Sequence, residues 1–516
     1  MRRLARFTPL GTGLALIVGG LLETPAFAHG FGERYDLPVP LWLYLAGAGA
    51  AVALSFVVIG FFVRGTPGLH DYPRLNLLRW RAGRALIHPT VIIPIKVASV
   101  ALFLLLIVAG LIGDSAPTNN LAPTVVWVLW WVGLAYVSAL VGNVWTLLNP
   151  WKIIFEWVEA LYQRLKPKGR LTFHLPYPDK LGMWPGLLLF LSFAWAELVY
   201  AEAAVPVRIA QMVIIYSLIT WGGMFLFGKE QWLRHGEAFS LAFGFLAWFA
   251  PTELRVIDPK VYGSCPVECL DRDGQCIDCS DCFQKAPPGQ RELNLRPFAV
   301  GLLRNAAVSP SMLAFVVVLL ATVTFDGFTA TPVWANMFSS LYAIFPSLMA
   351  VGTAGLIAFP VIFIVVYLGF SALMAMASGS RPAIGDMARA FVYSLIPIAL
   401  AYHLAHYLSF LLIQGQLIIP LASDPFGYGW DLFATADYTI NIAVINARFA
   451  WIIAVVTIVV GHIIAVYLAH AIALRTLKEP QPALRSQYPM LALMVGYTMV
   501  SLWIIAQPIV EIAPKG

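Results

Sequence analysis

Residues 237–250 read Glu237-Ala-Phe-Ser-Leu-Ala-Phe-Gly-Phe-Leu-Ala-Trp-Phe-Ala250. The stretch is apolar, but it is only about two-thirds of the ~20 residues a helix needs to cross ~30 Å of hydrocarbon. Whether it crosses decides the side on which everything after it lies. If it does, Arg381, Arg389, Arg475, Lys478 and Arg485 fall outside. Loops 327–345 and 414–443, which hold neither Lys nor Arg, then fall inside. If it does not, the basic loops stay inside, as the positive-inside rule requires. The segment therefore reads as an interfacial or half-inserted helix. The cysteine-rich loop 252–305 behind it then reads as cytoplasmic.

Outward from this segment, ten longer apolar runs cover 41–63, 89–113, 123–148, 183–204, 209–227, 308–326, 347–376, 390–413, 447–473 and 489–511. The chain is 60% hydrophobic and 12% charged over 516 residues, with a mean hydropathy of +0.78. That composition cannot supply the polar surface of a water-soluble fold. The expected fold class is all-α, a polytopic membrane protein of about ten transmembrane helices plus interfacial helices. Its partner is the lipid bilayer. The organisation reads as a signal peptide 1–28, a membrane half 29–251 with five spans, the cysteine loop 252–305, and a second half 306–516 with five more.

Arg64, Arg74, Arg79, Arg81 and Arg84 follow the first run, and Lys152, Arg164, Lys166, Lys168, Arg170 and Lys180 the third. The intervening loop 114–122 has no basic residue. The net charge of +6 thus orients helices and does not indicate nucleic acid. Trp151, Ile154, Trp157, Leu161 and Leu165 recur at helical spacing, which predicts a second interfacial helix over 150–165.

Arg2, Arg3 and Arg6, the apolar run 10–22 and Ala26-Phe27-Ala28 form a secretory signal pattern. Cleavage there places the mature N-terminus outside and makes it His29. Its α-amine and imidazole could chelate copper together.

All five cysteines lie within Cys265-Pro-Val-Glu-Cys269 and Cys276-Ile-Asp-Cys279-Ser-Asp-Cys282. In a reducing compartment this density points to metal. Cys276, Cys279 and Cys282 resemble the cluster loop of bacterial ferredoxins, and Cys265-Pro266 can stand for the remote fourth ligand of an iron–sulfur cluster. Zinc held by Cys265 and Cys269 with two of the later three is the alternative. The acidic spacers, among them Asp278 and Asp281, suggest a solvated knob.

Ionisable residues within spans default to functional candidates. Glu197 and Glu202 end the fourth run and Asp326 the sixth. His403 and His406 share a helix face in the eighth, and His462 is mid-span in the ninth. With His29 they could hold a divalent metal, zinc or copper, at an outer site, where it would make hydroxide from water. Asp326 and Glu202 are the candidate catalytic carboxylates. His403 or His406 with His462 could instead hold a haem, although no Cys-x-x-Cys-His occurs for c-type attachment. Phosphate-loop, zincin and serine-hydrolase motifs are missing.

His29-Gly30, Asp36-Leu37-Pro38-Val39-Pro40-Leu41-Trp42, Ser55-Phe56, Asn149-Pro150-Trp151, Thr324-Phe325-Asp326-Gly327 and the His403–His406 helix resemble the bacterial integral-membrane fenitrothion hydrolases. The resemblance implies a multi-pass protein of the bacterial inner membrane that hydrolyses lipophilic organophosphorus triesters. It also implies a second membrane subunit as partner. Hydrolysis has no use for an electron carrier, so a metal-handling or electron-transfer membrane subunit is the competing reading. A transporter, with helices broken near Pro360 and Pro397, is the third.

Overall fold

The computed structural model describes residues 34–62, 72–167, 169–258, 260, 265, 269–270, 276–304, 307–379, 382–477 and 479–511. The signal pattern, His29, Arg381 and Lys478 lie outside the described residues. Among the described residues, ten helices are long and apolar enough to cross a membrane. In chain order they are Leu41–Phe62, Pro89–Ile112, Leu121–Leu140, Asp179–Leu198, Pro206–Phe227, Pro310–Thr329, Leu348–Ala377, Ile384–Ser423, Ala447–Leu477 and Pro480–Ile509, here spans 1 to 10. The protein is an all-α multi-pass membrane protein, as its composition requires.

Local sequence sets the ends of these helices. Asn120, Ser309 and Ser347 each accept a backbone N–H of the first turn. Pro89, Pro206, Pro310 and Pro480 sit where a missing N–H costs nothing. Burial sorts the spans into layers. Spans 3, 6 and 8 bury 67%, 83% and 72% of their apolar windows inside the protein, against 22%, 17% and 22% for spans 1, 2 and 7. The first three form the centre of the bundle; the others turn most of their surface outward, as lipid-facing helices do.

Span 3 is π-helical over Thr124–Gly133. Span 7 runs unbroken through Pro360. Span 8 is interrupted by a 3-10 turn at Val392–Leu395, just ahead of Pro397.

A small sheet settles the topology of residues 237–250. Strands β1 (Tyr35–Asp36) and β6 (Val510–Glu511) pair with each other. Strands β2 (Leu75–Asn76), β3 (Thr252–Val256), β4 (Cys276–Ile277) and β5 (Arg291–Leu295) form a sheet in the order β2-β5-β3-β4. β2 follows span 1, whereas β5 follows span 5 and residues 237–250. Leu75 stands opposite Leu295, so the two loops share one end of the bundle. Four spans separate them, an even number, and a further crossing would have put them at opposite ends.

Residues Ala238–Ala247 form a ten-residue helix with eight residues buried. This corrects the interfacial expectation, because an interfacial helix keeps one face in the headgroups. It is a half-length helix enclosed by protein. Glu237 caps it, fully buried, and accepts from Phe239 N (3.0 Å), Ser240 N (2.7 Å), Tyr216 Oη (2.5 Å), Trp145 Nε1 (3.3 Å) and Asn149 Nδ2 (3.3 Å). With the Ser240 hydroxyl at 2.5 Å, six donors satisfy a carboxylate that would otherwise be costly to bury.

The helix Pro150–Leu165 forms as expected, with Trp151 buried and Trp157, Leu161 and Leu165 exposed. Lys96 and Lys229 both reach its Glu156.

Candidate functional site

Two groups of chemistry-bearing residues stand out, at different levels of the bundle. The first is the cysteine module on the sheet. Cys276 lies in β4, and Cys279 precedes the helix Ser280–Lys285, which carries Cys282. Cys265 Sγ is 2.6 Å from Cys282 Sγ. The sulfurs of Cys265, Cys276 and Cys282 lie within 4.8 Å of one another, the only such trio of potential ligands among the described residues. Thiols of Cys269 and Cys276 donate to Cys279, which holds it well below the usual thiol range despite burial. Arg234 approaches the same sulfur at 3.9 Å. None of the five forms a disulfide. Three convergent sulfurs with two more adjoining are a donor set able to bind a metal.

The module is docked, which corrects the solvated-knob expectation. Asp281 pairs with Lys152 at 3.2 Å and Arg234 at 3.6 Å. Asp278 pairs with Arg296 at 3.2 Å and Arg304 at 3.5 Å. Beneath them Glu253 is fully buried against Arg296 at 3.3 Å and Arg74 at 2.8 Å, with the Tyr72 hydroxyl also donating to it. Burial raises the Glu253 carboxyl, but Tyr72, Arg296 and Arg74 outweigh it and hold the group below its ordinary range. Burial and the adjoining carboxylate push Tyr72 up to about 12.

The second group lies inside the bundle, toward the end opposite the sheet. Asp326, in the last turn of span 6, bonds His406 Nε2 at 2.9 Å and accepts from Tyr407 Oη at 2.5 Å, both on span 8. His403, one turn before, lines a cavity of ≈ 20 Å³ with Trp131, Glu197, Thr322 and Tyr407. Its Nε2 has no partner among the described residues, and its other nitrogen meets the Val132 backbone. Val132 belongs to the π-helical stretch of span 3. Such wide turns redirect carbonyls that an α-helix keeps for itself.

Sequence reasoning thus paired Asp326 with His406 and put His403 beside them. It chose the wrong neighbour for the carboxylate next to them. Glu202 sits in the exposed connection after span 4, where it bonds Arg208 at 2.6 Å and Tyr200 at 2.9 Å. Glu197 lines the cavity instead. The signal was present: Glu202 has Arg208 six residues on, whereas Glu197 has only apolar neighbours. Tyr407 and Trp131 were missed, since an aromatic in a span ordinarily reads as packing.

His462 stands apart, bonded through Nδ1 to Ile458 O at 2.8 Å, its ring 5.9 Å from that of Tyr497. A Cβ on Gly461 would fall 2.3 Å from that of Ala401, so spans 8 and 9 touch beside it. That contact leaves no width for a porphyrin between them.

No family model, curated protein or solved structure matches this chain. The site itself carries the argument. Fold and site define a multi-pass membrane protein with a docked thiol module able to hold metal and a buried carboxylate–imidazole cluster.

Proposed function

We propose that this chain is a membrane-embedded electron-transfer protein, with an iron–sulfur cluster on Cys265, Cys276, Cys279 and Cys282. The outer cluster of Asp326, His403, His406 and Glu197 serves it in acid–base chemistry. The carrying observation is the convergence of the thiols, three of them with sulfurs within 4.8 Å. The Cys276-x2-Cys279-x2-Cys282 spacing favours the iron–sulfur choice over zinc, and Arg234 beside Cys279 suits the net negative charge that any thiolate-bound centre carries. The positive-inside rule puts the sheet end, with Arg74, Lys152, Arg170 and Lys229, in the cytoplasm of a bacterial inner-membrane protein. Electrons would then enter from the cytoplasm. A signal cleaved after Ala28, with His29 exposed outside, and a second membrane subunit belong to the same proposal.

Hydrolysis of a lipophilic organophosphorus triester is the second reading. An imidazole nitrogen facing a water-sized cavity beside Glu197 supports it, since that set could activate water. A triester would require the cavity to widen.

Metal analysis and an optical spectrum on anaerobically purified protein decide between them. About four irons per chain with sulfide-to-iron absorption supports electron transfer. A colourless protein with zinc at the cysteines overturns it and leaves the hydrolytic reading.

A further inference from the structure

We propose that the cavity among Trp131, Glu197 and His403 holds one ordered water, the exchange point for protons between the imidazole and the carboxylate. This deepens the acid–base half of the proposed function and rests on that reading of the cluster. It is independent of what the cysteines bind.

Size comes first. The cavity measures ≈ 20 Å³, and one water needs roughly 10–15 Å³ by the same measure. Most of its walls are apolar, with Phe190, Leu246, Leu319 and Val323 among them. Five residues bring polar groups to that lining; Thr322 donates to Val318 O and Tyr407 to Asp326, which leaves Trp131 on span 3, Glu197 on span 4 and His403 on span 8. Trp131 Nε1 and His403 Nε2 are buried with no partner among the described residues. The indole faces the Glu197 carboxylate without closing a hydrogen bond. Leaving such groups unpaired forfeits their solvation with nothing in return, so a dry cavity is disfavoured.

Polarity selects the ligand. The contact with the Val132 backbone uses the Nδ1 hydrogen, which leaves Nε2 as an acceptor. A Glu197 carboxyl oxygen is a second acceptor and the indole N–H a donor. Water matches all three: it donates to His403 and Glu197 and accepts from Trp131. A metal cation matches two and meets the indole hydrogen head-on. Tyr407, whose ring lies 4.7 Å from that of His403, gives its own hydrogen to Asp326. That hydrogen is therefore unavailable to the water, whose partners are His403, Glu197 and Trp131.

The test uses the sign of a stability change in the detergent-solubilised full chain. Ala194→Val pushes two methyl groups into the cavity. It should lower Tm by a few degrees in the natural protein, where it expels the water. In a Trp131→Phe/His403→Leu background, where nothing holds a water, it should leave Tm unchanged or raise it. Equal shifts in both backgrounds would overturn the proposal. Should that background fail to fold, density from the unsubstituted protein decides at a resolution that shows ordered waters. A peak bonded to His403 Nε2 and Glu197 upholds the proposal, and an empty or metal-filled cavity sinks it.

Discussion

The thiol module and the buried cluster solve opposite problems of placement. The module draws its ligands from 18 consecutive residues and then has to be fixed to the bundle, which it achieves with charge: Asp278, Asp281 and Glu253 against Arg296, Arg304, Lys152, Arg234 and Arg74. The buried cluster draws its side chains from four spans, 3, 4, 6 and 8, and has no need of docking, because packing of apolar helices already brings them together. Charge therefore governs the first region, and shape the second.

The sharpest break in that contrast comes from the ligands. Cys276→Ser should abolish metal binding and loosen the module, so that protease cuts between residues 257 and 290 where the natural protein resists. Cys269→Ser should keep most of its metal, since its sulfur belongs neither to the convergent trio nor to the Cys276-x2-Cys279-x2-Cys282 run. Metal stoichiometry of the two purified variants checks this, and equal losses would dissolve the distinction between them.

Docking by charge predicts the next largest effect. Glu253→Gln leaves Arg296 and Arg74 without their buried counter-charge, at a cost of about 3–5 kcal/mol. Differential hydrogen exchange should show β3 and β5 opening while the spans stay protected. The sign with pH follows from the lowered Glu253 carboxyl. Its contribution is complete above the ordinary carboxylate range and is lost as pH falls through the depressed folded value. The natural module should thus come loose in acid, and the Gln variant should lack that acid step.

In the bundle, Asp326→Asn removes the charge that His406 and Tyr407 share. A loss of about 1–3 kcal/mol should appear as a lower Tm with the module and its metal intact. If the metal is lost as well, the two regions are energetically one. The smallest effect belongs to Glu202→Gln. Its exposed pair with Arg208 should leave both Tm and metal content unchanged.

The same contrast explains what could be read from the residues alone. Ten apolar runs are visible by length, and cysteines three apart announce their chemistry without any fold. Asp326 and His406 were legible as a pair because both are expensive in lipid and lie at matching depth. Glu197 was passed over for Glu202 because five residues along a helix end separate a buried face from an exposed turn, and hydropathy does not resolve them. The buried half-helix Ala238–Ala247 was recognised as non-crossing from the charges around it, yet its enclosure by aromatic rings depends on Trp130, Trp131 and Trp151, which no local pattern links to it.

The sheet that settles the topology also imposes a timetable. Leu75 waits for Leu295, and spans 2 to 5 are made in between. At 5–20 residues per second of synthesis, β2 stays unpaired for roughly 10–45 s. Until β5 arrives, β3 lacks its central neighbour and Glu253 is without Arg296. The thiol site is therefore completed only after half of the bundle has been inserted, and whatever fills it must be delivered to a protein already in the membrane.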